Sequence, residues 1–398
     1  MIHELTPRER VIKAFRREKS DKVPKDLECT PQIYKLIKEK IGSSDPLGYF
    51  GCEMRWIGWL PTKIKRDFST YLGKPPSSFS TWIDKGFLEI ENTKIDASFS
   101  SEEEGEVDRS SSSPWIDHEW GVGRIPTASK DPRYSHLARY IFPMRNLKTV
   151  EELKEYPFSD YEANYRHRHL EEKVKKIHKK ELCATAGLAM TIFEVSWQLT
   201  GMDKLFIDFV ENKSFANYLL DYITEMRKFM IRRFAEAGVD HISLGDDIGT
   251  QNGMLMSPEM WREWFKERMH SIISVAKKVN PEVIISYHSD GNIEEVIPEL
   301  IEIGIDVLNP VQPECMDPAK LKRKYGDRLA FWGTVGTQTT MPFGTPEEVK
   351  RVVRKRIKTV GKNGGLLIAP THTLQPDVPW ENILAFFEAV EKDGKYED

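Results

Sequence analysis

The sequence predicts an α/β fold, a (β/α)8 TIM barrel with an irregular, tryptophan-rich insertion in its N-terminal third. Three observations predict it. After residue 180, strand-like and helix-like segments alternate six times. The strand-like segments are short continuous apolar runs, as expected where helices cover a parallel sheet. Polar and ionisable residues gather at the C-terminal ends of those runs, where such a barrel carries its site. The 398 residues exceed one ordinary domain but suit a single barrel with insertions. One domain over residues 1–398 is expected, with the insertion at 45–145 inside it.

Thr6-Pro7-Arg8-Glu9 opens the first helix with a capping residue, Pro at the first helical position and Glu at the third. Val11, Ile12 and Phe15 supply its apolar stripe, and Val23-Pro24 leads into a first strand ending near Glu28-Cys29. A helix at 31–41 follows. From 42 to 143 the pattern is irregular, with Trp56, Trp59, Trp82, Trp115 and Trp120 among Pro, Gly and Ser. These tryptophans fill core or wall a pocket. Residues 100–113 read as an exposed polar loop.

A charged helix is expected over 150–180, with His167, His169 and His178 solvated on it. Strands then follow at 182–187, 241–247, 283–290, 306–312, 329–335 and 365–372, with a helix after each. Ser257-Pro258 and Thr345-Pro346-Glu347-Glu348 mark two of the helix starts. One strand near residue 25 and one in the irregular region complete eight. A doubly wound sheet has less support. Gly121-Val122-Gly123 lacks a third glycine and a strand–helix setting, and no phosphate-binding G-x-x-x-x-G-K-[ST] occurs.

A formal net charge of -4 gives no pull toward nucleic acid or membrane. Cys29, Cys52, Cys183 and Cys315 form no C-x-x-C pair, which argues against a disulfide framework or thiolate zinc finger. The N-terminus does not read as a signal peptide, and no run approaches the roughly 18 apolar residues of a membrane span. A cytoplasmic protein is expected.

The strand ends carry Asp246 and Asp247, His288 and Asp290, Asn309 and Gln312, and His372. His288 and Asp290 are two apart, so they share a face of an extended strand. With His372 and a carboxylate from Asp246 or Asp247, two nitrogens and one or two oxygens converge. That set suits Zn²⁺ with an open position. Metal-free acid–base work and a structural role, with Asp290-Gly291 as a plain turn, stay open. Asp246 and Asp247 point opposite ways unless the strand has ended. Cys315 reads as an ordinary loop thiol.

Several stretches resemble the uroporphyrinogen decarboxylase superfamily. They include Thr6-Pro-Arg-Glu-Arg with Asp21-Lys-Val-Pro24, Gly245-Asp-Asp-Ile-Gly-Thr-Gln with Ser257-Pro-Glu-Met-Trp, and His288-Ser-Asp-Gly. Trp332-Gly-Thr-Val-Gly and Ala369-Pro-Thr-His fit as well. The match covers the N-terminal helix and the chain after residue 180, and it is poor over 45–145. The resemblance implies one of two chemistries. Tetrapyrrole decarboxylation uses an arginine-rich segment after the first strand, where this chain reads Leu27-Glu-Cys-Thr-Pro-Gln. Methyl transfer to or from a corrinoid protein uses zinc at the strand ends, commonly with His-x-Cys-Gly where this chain has His288-Ser-Asp-Gly.

The expected function is thus transfer of a methyl group from a small donor, such as an aryl methyl ether, to Co(I) of a partner corrinoid protein. The closest character is that of the corrinoid-dependent O-demethylases. Zn²⁺ would be held by His288, His372 and Asp290, with Asp247, Asp290 and His288 as catalytic groups. Asp246, Gln312 and Trp332 are expected to face the substrate. A metal-free decarboxylase of a small acid or tetrapyrrole and a non-catalytic binding protein are the alternatives. Pairing into a homodimer stays open.

Overall fold

A computed structural model describes residues 4–68, 70–71, 115–117, 119–126 and 138–396. Trp82 and the loop expected at 100–113 lie outside the described residues. The chain divides into two compact units. One is Met1–Trp56, Glu171–Ala189 and Phe234–Asp398; the other is Ile57–Leu170 and Met190–Arg233.

In chain order the strands are β1 (Met54–Ile57), β2 (Trp115–Ile116), β3 (Gly123–Pro126), β4 (Ala138–Ile141), β5 (Cys183–Ala189), β6 (His241–Gly245), β7 (Ile284–His288), β8 (Val307–Asn309), β9 (Ala330–Val335) and β10 (Leu366–Pro370). Seven of them form one sheet in the order β1-β5-β6-β7-β8-β9-β10. Neighbours from β5 to β10 pair in parallel. Residues 24–29 supply the eighth position. They run parallel to β10 through Lys25↔Ile368 and Cys29↔Leu374, and Glu53, just before β1, donates its N–H to Lys25 O at 3.4 Å. The ring is therefore an (β/α)8 TIM barrel, with one of its strands near residue 25 and one inside the irregular region.

The strands β6, β9 and β10 are buried along their whole length. This is what helices on the outer face and side chains inside require of a parallel strand. Met54, Cys183, Ile284, Val307, Ala330, Trp332, Leu367 and Ala369 pack together with Val11 and Phe15 of helix Pro7–Phe15. That helix thus plugs the barrel floor with its apolar stripe. A fully buried side chain of Phe15's size contributes roughly 1.5–3 kcal/mol. Its start is set by a reciprocal capping box between Thr6 and Glu9, and the helix Pro346–Thr359 starts the same way with Thr345 and Glu348.

The other unit has an antiparallel sheet, β2-β3-β4. Its core gathers Phe68, Ile116, Val122, Met144, Leu153, Tyr156, Val195, Leu199 and Phe215. The charged helix expected over 150–180 is two helices, Val150–Lys154 and Leu170–Lys179. Pro157 removes a backbone donor and disfavours helix at Tyr156, so the first ends there. Of the three histidines of this stretch, expected to be solvated, His167 is buried, while His169 and His178 are part-exposed and hydrogen-bonded. His167 accepts the Arg233 Nε–H at 3.1 Å. His169 Nε2 lies 3.1 Å from Gly58 O, and His178 Nε2 lies 2.9 Å from Asp240 Oδ2. Among the described residues, no helix is long and apolar enough to cross a membrane.

Candidate functional site

Three neighbouring strands end level with one another. Gly245 pairs with His288, and His288 with Asn309. Gly245 makes room for the histidine: a Cβ there would sit 2.8 Å from His288 Cβ. Beyond the strand ends, two loops touch backbone to backbone. A Cβ on Gly291 would meet the Gly249 carbonyl carbon at 2.6 Å, and Gly291 has a φ of +80°. Only glycine fits such a contact without strain. Asn292 N–H closes it by donating to Thr250 O at 2.7 Å.

His288 is held in one tautomer. Asn309 donates its amide to Trp332 O at 3.2 Å, which turns its Oδ1 toward His288. The His288 Nδ1–H then donates to that oxygen at 2.5 Å. The Nε2 lone pair is left facing the mouth, the arrangement seen in imidazoles that bind cations. Nε2 is 3.7 Å from Asp247 Oδ1, and that same oxygen accepts the Asp290 N–H at 2.8 Å. His372, from the end of β10, places Nε2 3.9 Å from Asp290 Oδ2. Donor atoms of Asp247, His288 and Asp290 all lie within 4.8 Å of one another.

Charge and burial oppose each other here. Burial works against protonation of His288, but Asp290 and Asp247 outweigh it and raise its proton affinity. Burial raises the Asp290 carboxyl too, against the pull of His288 and His372.

The strand has ended by Asp246 and Asp247, and only one reaches the cluster. Asp246 is 2 % exposed, while the Asp247 side chain is 41 % exposed at the mouth. Gln312 is buried and its Oε1 accepts the Gly291 N–H at 3.2 Å, which braces the Asp290 turn. Trp332 is 4 % exposed and packs in the barrel core beside Phe15, Trp56 and His241. Its carbonyl, through Asn309, is its link to the cluster. Cys315 donates its thiol hydrogen to Gln251 at 3.0 Å.

Glu28 is absent from the strand-end residues expected by sequence. Its carboxylate lies in the fields of both His288 and His372, and burial raises its proton affinity against their pull. The signal was its place at the end of the first strand, just before Cys29-Thr30-Pro31.

The donor set has the chemistry for a divalent cation. Nitrogen and carboxylate donors both bind Zn²⁺. The group that lies together is Asp247, His288 and Asp290; His372, expected from the sequence as a ligand with His288 and Asp290, stands outside that group and approaches it only through Asp290, at 3.9 Å.

The family model for uroporphyrinogen decarboxylase (URO-D) matches residues 136–392, more than half of the chain. The chain belongs to the uroporphyrinogen decarboxylase family. Members of this family are enzymes, decarboxylases or methyltransferases. The uroporphyrinogen decarboxylase of Chlorobaculum tepidum is 25% identical over 186 residues, 46% of this chain and 50% of that one. That of Rickettsia africae is 26% identical over 259 residues, 61% of this chain and 70% of that one. The chain spans about half the length of the Chlorobaculum relatives that it matches. A methyltransferase from Methanosarcina mazei has the same fold, with a TM-score of 0.58 and 18% identity, covering 98% of this chain and 99% of that one.

Proposed function

We propose that this member of the family is a methyltransferase. It moves a methyl group from a small oxygen-bearing donor, an aryl methyl ether, to Co(I) of a partner corrinoid protein. What supports this reading is the sign of the charge at the barrel mouth. Glu28, Asp247 and Asp290 stand among two imidazoles, and Thr30-Pro31-Gln32 follows the first strand where an arginine-rich grip would be needed. A polycarboxylate tetrapyrrole would meet like charge there. A divalent cation meets its ligands.

His288, His372 and Asp290 would hold that cation, proposed as Zn²⁺. When bound, it supplies Lewis acidity toward the leaving oxygen of the donor. Asn309 keeps the His288 Nε2 lone pair available, and Asp247 fixes Asp290 through its backbone N–H. Asp247, at the solvent edge, is placed to pass a proton to the departing oxygen. The bond between methyl and oxygen breaks with its electron pair left on oxygen, which takes that proton. The Co(I) electron pair forms the new bond to the methyl group.

Metal analysis of the purified protein tests the cation first. About one zinc per chain is expected in the wild type. His288→Ala should lower affinity by more than about 100-fold, beyond the loss from a supporting residue. Methyl transfer from an aryl methyl ether, followed by the loss of the Co(I) spectrum, tests the reaction. The relatives named uroporphyrinogen decarboxylase favour a second reading, cofactor-free decarboxylation of a small acid with His288 and Asp246 in acid–base roles. Carbon dioxide release without any corrinoid would replace the first reading by this one.

A further inference from the structure

We infer that Arg356, on the helix Pro346–Thr359, is a positioning residue: it sets the His288 tautomer through the end of β9. Only the zinc readout below rests on the cation reading above. The chain of contacts starts from a missing rung between β8 and β9. Their paired residues run to Leu308↔Phe331. The next backbone donor on β8 belongs to Pro310, which has no N–H. The Trp332 carbonyl takes the Asn309 side-chain amide instead, at 3.2 Å, and this contact turns Asn309 Oδ1 toward His288. The rungs resume one step on, where Thr334 N–H donates to Pro310 O at 3.0 Å.

That closing rung depends on an unusual backbone. Gly333 has a φ of +112° and Thr334 a φ of +74°. At Gly333 the two strands touch: a Cβ there would sit 2.4 Å from Pro310 O. At Thr334 the residue is branched and still left-handed, a conformation that persists only where the surroundings hold it. Its own hydroxyl does not hold it, being buried with no hydrogen-bond partner among the described residues. The grip is on the main chain. Pro310 O takes the Thr334 N–H on one side, and on the other the Arg356 Nε–H donates to Thr334 O at 2.9 Å.

Arg356 is placed for that one contact. Its side chain is partly buried, and among the described residues no carboxylate lies within ion-pair distance of it. Withdrawing a guanidinium from water is costly, and the contact it gains is the carbonyl of the left-handed residue. Without it, Thr334 is free to leave the left-handed region. The rung to Pro310 then opens, Asn309 loses its fixed amide, and His288 can carry its proton on either nitrogen.

Ring ¹⁵N NMR reads the tautomer directly. It is recorded on the full chain, stripped of metal by chelation and held at alkaline pH where imidazoles are neutral, with His288→Gln identifying the signal. The wild type should show one tautomer, protonated on Nδ1. Arg356→Met should show both, and its zinc affinity should fall about tenfold, the low end for residues that orient a ligand. Glycine adopts the left-handed region unaided, so Arg356→Met combined with Thr334→Gly should restore the single tautomer. A merely structural arginine would lower the melting temperature, leave the tautomer alone and gain nothing from the glycine. One tautomer in Arg356→Met, or a mixture that persists in the double variant, would overturn the assignment and leave the cation reading standing. Tautomers that behave as stated in a wild type that takes up no zinc would overturn the cation reading alone. Should Arg356→Met fail to fold, the double variant must fold with the single tautomer, and its failure to do so counts against Arg356 as a positioning residue.

Discussion

The floor and the mouth of this barrel each hold a histidine, and the two behave in opposite ways. His241 opens β6, fully buried, with ring neighbours Phe15 at 4.9 Å and Trp332 at 5.7 Å. Its hydrogen bonds go to the hydroxyls of Ser286 and Thr185. Burial pushes its pKa down to about 3. His288 closes the adjacent β7, and there the carboxylates reverse the effect of burial. Position along the strand, rather than residue type, decides the role. The floor excludes charge, while the mouth collects it.

Removing floor packing should have the largest effect on stability. Phe15→Ala is expected to cost about 3–5 kcal/mol in denaturant unfolding while leaving zinc stoichiometry intact. Loss of metal at equal severity would mean that floor and mouth are not separable. Asn309→Leu acts at the mouth. It frees the His288 tautomer and should weaken metal binding by about 10–100-fold. An unchanged affinity would show that the Asn309 contact does not orient the ring.

The pH dependence sharpens the contrast at intermediate size. His241 has a depressed pKa in the folded protein, so the unfolded chain binds its proton first. Its contribution is complete above about pH 6.5 and falls by about 1.4 kcal/mol per pH unit as acid is added toward pH 3. Chemical denaturation at pH 7 and pH 5 should show this slope in the wild type and a shallower one in His241→Asn. Thr345→Ala, remote from both regions, should cost only about 1 kcal/mol through loss of a helix cap. A larger thermal shift would point to a role beyond capping.

The barrel was legible because its signals are local. Thr6 and Thr345 each start a helix within four residues, and the apolar runs from Cys183 to Pro370 each mark a buried strand. His288, Asp290 and Asp247 could be picked out because they follow such runs. Glu28 could not be weighed in the same way. Its strand is held by two isolated bridges, and the imidazoles that act on its carboxylate lie 260 and 344 residues away along the chain. The choice between Asp246 and Asp247 depended on where β6 stops, a boundary set by pairing with β7. His167 and His178 looked solvated for the same reason. Arg233 and Asp240, which hold them, lie far off in sequence.

The first strand and β10 pair unevenly, four positions from Lys25 to Cys29 against six from Ile368 to Leu374, and this has a consequence for how such a barrel can change. His372 sits on a loop of backbone anchored at Ile368 and Leu374, and its side chain is 46 % exposed. Ala369 and Pro370 stay paired with Thr334 and Val335 of β9, and Thr371 N–H donates to Val335 O, so the slack lies at His372 and Thr373. Lengthening, shortening or rewriting them would retarget one donor without shifting any strand. The ring supplies the fixed frame, and this spare length is its adjustable jaw.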